Sequence, residues 1–139
     1  MADELLTLEI ATPAGLALET QCESVAAPSV AGEFGVFPGH LPLLAALRSG
    51  IIKYSVGGAP RLAAVGPGFV EAGPDHVLLL TDAFALPEDV DADEVREELE
   101  AAERRLDALE TAYAGTEYEE IMRAIQWAEA RLSLLAHRD

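Results

Sequence analysis

The sequence predicts an α+β fold, mainly β in its N-terminal part: an antiparallel β-sandwich or flattened barrel in residues 1–86, then an antiparallel two-helix hairpin in residues 87–139. Three observations predict this fold. Apolar and polar residues alternate in the first part, glycine and proline turn signals recur between short apolar runs, and the apolar spacing becomes three and four after Pro87. With 139 residues, 50% of them hydrophobic, the chain is long enough to bury a core.

The strands of the first part are predicted from alternation with a period of two. The apolar sides of the two clearest segments are Leu6, Leu8 and Ile10 in one, and Ile52, Tyr54 and Val56 in the other. Gly57 and Gly58 follow the second segment directly. They predict a hairpin, because the primed turns that join antiparallel strands need positive φ.

Residues 32–44 form the most distinctive stretch, with three glycines and two prolines inside an apolar run. Glycine allows backbone angles that strain other residues, and proline fixes φ and removes a hydrogen-bond donor. We therefore expect a sharp turn between short strands here. A loop of this kind is rigid before it binds and loses little entropy on docking, so it is a candidate contact surface.

The second part carries two apolar seams with helical spacing. The first seam is Val95, Leu99, Ala102, Leu106, Leu109 and Tyr113, and the second is Tyr118, Ile121, Ile125, Ala128, Leu132 and Leu135. Asp91 with Glu94 and Thr116 with Glu119 are N-terminal capping signals, and Gly115 predicts the end of the first helix. So short a link predicts antiparallel helices that bury one seam each, against each other.

These seams predict a hairpin of marginal stability unless it packs on the sheet or on a partner. Two of the twelve seam residues are alanines, whereas ordering a backbone costs about 1–2 kcal/mol per residue. We therefore expect an arm that can change its docking. Trp127 falls beside the second seam, so it contacts either the sandwich or a partner.

The charge distribution limits the classes of partner. The net charge is −16, which argues against a nucleic-acid ligand and against an anionic lipid surface. Residues 87–139 carry −10 of it, so the hairpin is the more densely charged part. The single cysteine, Cys22, cannot form an internal disulfide and is expected to be a buried, unreactive thiol.

No catalytic or metal-binding pattern is visible in the sequence. His40, His76 and His137 have no metal-ligand spacing, and neither a nucleophile elbow nor a phosphate-binding glycine loop occurs. The many neighbouring carboxylates are expected to be solvated helix faces. We expect no catalytic residues, no cofactor and no metal in this chain.

Four motifs in order resemble those of the epsilon subunit of rotary, F-type ATP synthases. They are a turn at residues 10–15, the loop at 32–44 with residues 47–52 after it, residues 68–71, and residues 77–82 followed by 88–91. The resemblance covers nearly the whole chain. Pro67 departs from the family pattern, which usually has glycine there.

The resemblance implies a noncatalytic rotor subunit that sits at the foot of the central stalk and links the gamma subunit to the c-ring. In that role it couples proton translocation to ATP synthesis. By motif, Glu33 matches the family position that faces the polar loops of the c-ring, and His40 matches the gamma-contacting region; Phe34 and Leu41 are expected beside them. The implied location is peripheral, on the cytoplasmic face of the bacterial inner membrane, with the membrane reached only through the complex.

The resemblance also implies a regulatory role for the hairpin, in which the second helix inhibits ATP hydrolysis by contacting the beta subunit. The candidate residues are Arg123, Arg131 and Arg138. Residues 117–139 have five acidic and three basic side chains, so the expected inhibition is weak or conditional. Glu94 stands where ATP-binding relatives have arginine, which argues against a nucleotide site.

The sequence is also compatible with a function of a different class. A free-standing acidic adaptor or nucleic-acid mimic would place the negative hairpin in the basic groove of a partner. Co-purification with gamma and c subunits, or with a nucleic-acid-binding protein, distinguishes the two.

Overall fold

The computed structural model describes residues 4–109 and 115–137. Within them ten strands precede a short 3₁₀ helix (Pro87–Asp89) and two α-helices, α1 (Ala92–Asp107) and α2 (Gly115–Ala136). The strands are β1 (Leu6–Thr12), β2 (Gly15–Cys22), β3 (Ser24–Ser29), β4 (Gly32–Val36), β5 (Leu43–Leu47), β6 (Gly50–Val56), β7 (Ala59–Val65), β8 (Gly68–Ala72), β9 (His76–Thr81) and β10 (Phe84–Ala85). The predicted fold class, a β-sandwich followed by two helices, is confirmed.

The strands are neighbours in the order β10, β7, β6, β3, β5, β8, β9, β1 and β2, and β4 pairs with β3. β2, at one end of this order, packs back against β6, so the sheet nearly closes on itself. The predicted alternation is confirmed: the inward residues are buried in one core, with Val56 only half-buried at its edge. The largest fully buried side chains of this core are Leu6, Leu8, Ile10, Ile52 and Leu79.

One strand pair departs from the predicted antiparallel arrangement. β1 and β9 run parallel, with Thr7 opposite His76 and Ala11 opposite Leu80. Every other pair in the described sheet is antiparallel. Alternation identifies the buried side of a strand but carries no information about its direction, so the sequence could not reveal this pair.

The hairpin between β6 and β7 forms as predicted and is held by a carboxylate from another turn. Gly57 and Gly58 both have positive φ, 60° and 80°. Their amides donate to Glu23, at 2.9 and 2.8 Å, and the Ser55 hydroxyl donates to it at 3.0 Å. These bonds to the charged form, first those from Gly58 and Gly57, lower the pKa of Glu23. Glu23 thus fastens the β6–β7 hairpin to the β2–β3 turn.

Replacing Glu23 with glutamine is expected to lower stability in a pH-dependent way. Because the folded-state pKa of Glu23 is lowered, its contribution is present above the unfolded pKa and is lost as pH falls through the folded pKa. The difference in urea midpoint between the parent and Glu23→Gln should therefore be clear at pH 7 and shrink in strong acid. Glu19→Gln, on exposed β2, is the matched control. A pH-independent difference would contradict this role.

Two buried side chains near this turn have shifted titrations. Cys22 is fully buried, and burial raises the pKa of its thiol to about 11, which fits the predicted unreactive thiol. Burial also raises the pKa of the Tyr54 phenol. Both side chains belong to the sandwich core.

The sheet, α2 and α1 are stacked as three layers. The two helices therefore do not simply bury one apolar seam each against the other, as the sequence predicts. α1 packs on α2 through a cluster of Ala102, Ile121 and Ile125. α2 also packs on β6 and β7 through a second cluster, Ala64, Ala85, Ala130 and Leu134. The prediction of one buried seam in the second helix was therefore wrong. α2 is the middle layer, so Ala130 and Leu134 are buried while the predicted Leu132 and Leu135 are only half-buried.

The helix ends also differ in part from the prediction. Asp91 caps α1 as expected, since its carboxylate accepts from the amides of Asp93 and Glu94. Gly115, with φ of 90°, opens α2 instead of ending α1. At the end of α1 the Ala108 amide still donates to the Arg104 carbonyl at 3.0 Å, and the Leu109 amide makes a tighter bond, to the Leu106 carbonyl at 3.2 Å. The seam residue Tyr113 lies outside the described residues.

The predicted boundary between residues 86 and 87 falls between β10 and the 3₁₀ helix. The division into two domains stays a prediction. In the described part of the chain, neither helix is long and apolar enough to span a membrane.

Candidate docking surface

An apolar row crosses the outer face of four neighbouring strands. Phe69 in β8 lies opposite Leu80 in β9, Leu80 lies opposite Ala11 in β1, and Ala11 lies opposite Leu16 in β2. Phe69 and Leu16 are each 57% exposed, and Leu80 is 52% exposed. We call Ala11, Leu16, Phe69 and Leu80 the outer apolar row. Contiguous exposed apolar surface of this kind marks an interaction site in a soluble protein.

The neighbouring rung of the same face is acidic. Glu71 lies opposite Leu78, Leu78 opposite Glu9, and Glu9 opposite Glu19. Leu44 in β5 lies opposite Glu71 and is 72% exposed. It therefore extends the exposed apolar surface toward the loop between β4 and β5, residues 37–42. A surface built this way fits a partner with an apolar centre and basic residues along one side.

A groove of about 380 Å³ lies beside the two middle members of the outer apolar row, Ala11 and Leu80. Its walls also include Pro13 and Pro67. Gly68 forms part of it and brings β8 so close to β9 that a Cβ there would lie 1.9 Å from the Leu80 carbonyl oxygen. The shape of the surface beside the groove therefore depends on a glycine.

The loop between β4 and β5, residues 37–42, lies beside the same surface. The Gly39 amide donates to the Pro74 carbonyl at 2.7 Å, which ties the loop to the β8–β9 turn, and Gly39 has φ of 88°. The His40 amide donates to the Phe37 carbonyl at 3.1 Å, closing a turn. His40 is half-buried, and Leu41 is 79% exposed. These two predicted contact residues therefore lie next to each other beyond β4.

The other two predicted contact residues lie within β4, on opposite faces. Phe34 is half-buried against the sandwich core. Glu33 is exposed and lines a second space of about 420 Å³ beneath α2, together with Arg48, Lys53 and Glu129. We call this space the α2 cleft. The four residues Glu33, Phe34, His40 and Leu41 do not form one continuous surface, and their contact roles stay predictions.

The arginines predicted for the second helix also differ in environment. Arg123 is exposed on α2, whereas the Arg131 side chain is only 14% exposed and contacts Glu98 of α1. Arg138 lies outside the described residues. Of the predicted set, Arg123 is the described arginine that faces solvent in this arrangement of the helices.

Comparison with known proteins identifies the family. A family model described as the β-sandwich domain of the ATP synthase delta/epsilon chain matches residues 5–87. The ATP synthase epsilon chain of Anoxybacillus flavithermus is 40% identical over 103 residues, which are 74% of this chain and 77% of the relative. This chain belongs to the ATP synthase epsilon chain family. The resemblance seen in the sequence motifs is thereby confirmed.

Similarity to the epsilon chain family extends across both parts of the fold. The epsilon chain of Solibacter usitatus is 38% identical over 130 residues, covering 94% of this chain and 95% of the relative. The cryo-EM structure of the Euglena gracilis mitochondrial ATP synthase, OSCP/F1/c-ring in rotational state 1, contains a chain with the same fold. That match has a TM-score of 0.78 at 18% identity and covers 99% of this chain and 84% of the other.

The outer apolar row is a candidate docking surface that the sequence did not predict in this member of the epsilon chain family. Phe69 and Leu80 stand inside motifs of the family and Leu16 does not, but none of the three was predicted as a contact residue. The continuous apolar run at residues 77–80 reads as a strand buried on both faces. One signal in the sequence could have identified the row. Val70 is buried, so the alternation along β8 places its large apolar neighbour Phe69 on the outer face of the sheet.

Proposed function

We propose that this chain is the noncatalytic central-stalk subunit of a bacterial F-type ATP synthase, linking the gamma subunit to the c-ring and coupling proton translocation to ATP synthesis. Its place is peripheral, on the cytoplasmic face of the inner membrane. The observation that carries the proposal is the outer apolar row, a ready docking surface in a member of the epsilon chain family.

Gamma is the partner proposed for this surface, because His40, which matches the gamma-contacting region by motif, lies in the loop that is tied to the β8–β9 turn beside the row. A standard interface buries about 800 Å² per partner, roughly a tenth of the 8038 Å² that this chain exposes. The row would form the apolar centre of such an interface, and Glu9, Glu19 and Glu71 would form an acidic margin. The contact with the c-ring is assigned by motif to Glu33, which lies on a different part of the sandwich from the outer apolar row. Separate surfaces allow one subunit to hold two partners at once.

A noncatalytic role is supported by the positions of the histidines. His40 and His76 lie at the same end of the sandwich and His137 follows α2, and residues 4–109 and 115–137 hold no group of three or more His, Cys, Asp or Glu side chains placed to bind a metal. The proposed contribution to the complex is mechanical. Inhibition of ATP hydrolysis would come from α2 through Arg123 and Arg131 at the beta subunit, under conditions that free Arg131 from Glu98.

The proposal is tested by co-purification from the organism's own membranes. A tagged chain, expressed at its natural level, is expected to carry gamma and c subunits in stoichiometric amounts and to restore ATP-driven proton pumping to complexes stripped of their own copy. Recovery of a nucleic-acid-binding protein without gamma would favour the acidic-adaptor alternative and overturn the proposal.

A further inference from the structure

The α2 cleft lies between the sheet and one side of α2. Its floor includes residues of the β5–β6 turn and of β6, and its roof is a stripe of the helix. The residues of this stripe are three or four positions apart and therefore share one side of α2; they are Gln126, Glu129, Ala130 and Ser133. At about 420 Å³ the cleft has a volume typical of small-molecule sites.

Four charged side chains line the cleft without pairing with one another. Arg48, Lys53 and Glu33 belong to the sheet side, and Glu129 belongs to α2. All four are exposed to solvent, and Lys53 is the single lysine of the chain. Within residues 4–109 and 115–137, none of the four forms an ion pair. Their charges are therefore available to a molecule that enters the cleft.

Ser49 contributes a hydrogen-bonding group that no described residue satisfies. Its Oγ atom is buried at the cleft and has no hydrogen-bond partner within the described part of the chain. Arg48 Nη1 donates to the Ser49 carbonyl at 3.3 Å, which places the guanidinium next to this residue. Buried polar groups in proteins nearly always have a partner, so a hydroxyl without one in its own chain is suited to a ligand.

We propose that the α2 cleft binds a small zwitterion of the amino acid class. Arg48, Lys53 and the Ser49 hydroxyl hold its carboxylate, because hydrogen bonds between charged groups are about twice as strong as neutral ones. Glu129, together with Glu33, accepts from its ammonium group. The two glutamates would repel a simple anion, and the two basic side chains would repel a simple cation. A zwitterion is the class of ligand that all four charges attract.

This site differs from the nucleotide site that the sequence argues against. Glu94, where ATP-binding relatives have arginine, lies in the first turn of α1. No described residue of α1 lines the cleft. The inference goes beyond the proposed function, because the site is complete in the free chain.

The proposal is tested by calorimetric titration of the full-length protein with two probes, glycine and 4-aminobutyrate, which differ in the spacing between carboxylate and ammonium. At least one is expected to bind saturably. If it is 4-aminobutyrate, then butyrate and butylamine, which each lack one charged group, should bind about tenfold more weakly; acetate and methylamine serve in the same way for glycine. No saturable binding of either probe, or equal binding of the probe and its anionic half, would overturn the proposal.

Variants locate the binding in the cleft. Lys53→Gln and Glu129→Gln each remove one charge and are expected to weaken binding of the probe about tenfold. Arg61→Gln is the matched control for Lys53→Gln, because Arg61 is an exposed cation of the neighbouring strand β7 that does not line the cleft. Its affinity should equal that of the parent. Equal affinity in the Lys53 and Arg61 variants would contradict the assignment.

Ser49→Ala separates contact with the ligand from a structural role. Removing an unpaired hydroxyl should leave the urea midpoint of the free chain unchanged or raise it, whereas binding of the probe should weaken about fivefold. A clearly lower midpoint, or unchanged binding, would show that the hydroxyl does not serve a ligand and would count against the site. None of these results bears on assembly with ATP synthase.

Discussion

A chain carrying Phe69→Lys and Leu80→Glu is expected to bind ATP synthase depleted of its epsilon chain about a hundredfold more weakly, or worse, while keeping its fold. Both side chains are more than half exposed, so the sandwich core does not depend on them. They lie directly opposite each other in β8 and β9. Opposite charges at such a pair favour the sheet, whereas two like charges would disturb it.

The size of the effect follows from the exposed apolar area of the pair, which supplies two of the three large side chains of the outer apolar row. Truncating a central apolar anchor of an interface costs about 2 kcal/mol or more, and a buried charge without a partner adds to this. Binding is measured by titrating the labelled chain onto the depleted complex. Arg61→Glu is the control, because Arg61 is exposed in β7, which is not a neighbour of the strands that carry the row. Unaltered affinity in the double variant would rule out the row as the docking surface.

Gly68→Ala is expected to destabilise the protein by about 3 kcal/mol, a large part of the 5–15 kcal/mol typical of a domain. A Cβ at Gly68 would lie 1.9 Å from the Leu80 carbonyl oxygen and 2.9 Å from the Thr81 Cα. These are backbone atoms of the paired strand, so they cannot rotate away. β8 and β9 would have to separate at this rung, which would also distort the outer apolar row.

Urea unfolding measures this loss, and Gly35→Ala provides the comparison. Gly35 is also a strand glycine, but its nearest neighbour would be 3.8 Å from the new Cβ, and its φ is not positive. Alanine there should be neutral or slightly stabilising, since it lowers the entropy of the unfolded chain. If the two variants unfold at the same urea concentration, the close approach at Gly68 does not constrain the fold.

The features that could be predicted from sequence are those set by local spacing. Alternation located β1 and β6, paired glycines located a hairpin, and Asp91 marked the start of α1. The parallel pairing of β1 with β9 could not be predicted, because apolar and polar residues alternate in the same way in parallel and antiparallel strands. The second buried face of α2 was missed for a related reason. Alanines such as Ala130 are compatible with either face of a helix, and only the position of the sheet decides which is covered.

The candidate site was predicted less well than the fold. The motif at residues 32–44 correctly indicated a turn between short strands, yet it gave no sign that Glu33 and Phe34 lie on opposite faces of β4. The outer apolar row joins residues from three separate segments of the chain, which become neighbours only in the sheet. Arg131 and Glu98 are likewise far apart in sequence, and charge pattern alone offered many other partners.

The parallel pairing of β1 with β9 has a consequence for biosynthesis. β1 leaves the ribosome early, but its neighbour on that side is made only when the segment His76–Thr81 emerges. Until then the nascent chain displays Leu16 and Ala11 without Leu80 and Phe69. The outer apolar row is therefore complete only once translation has passed β9, so the docking surface proposed above would form only on a finished sandwich.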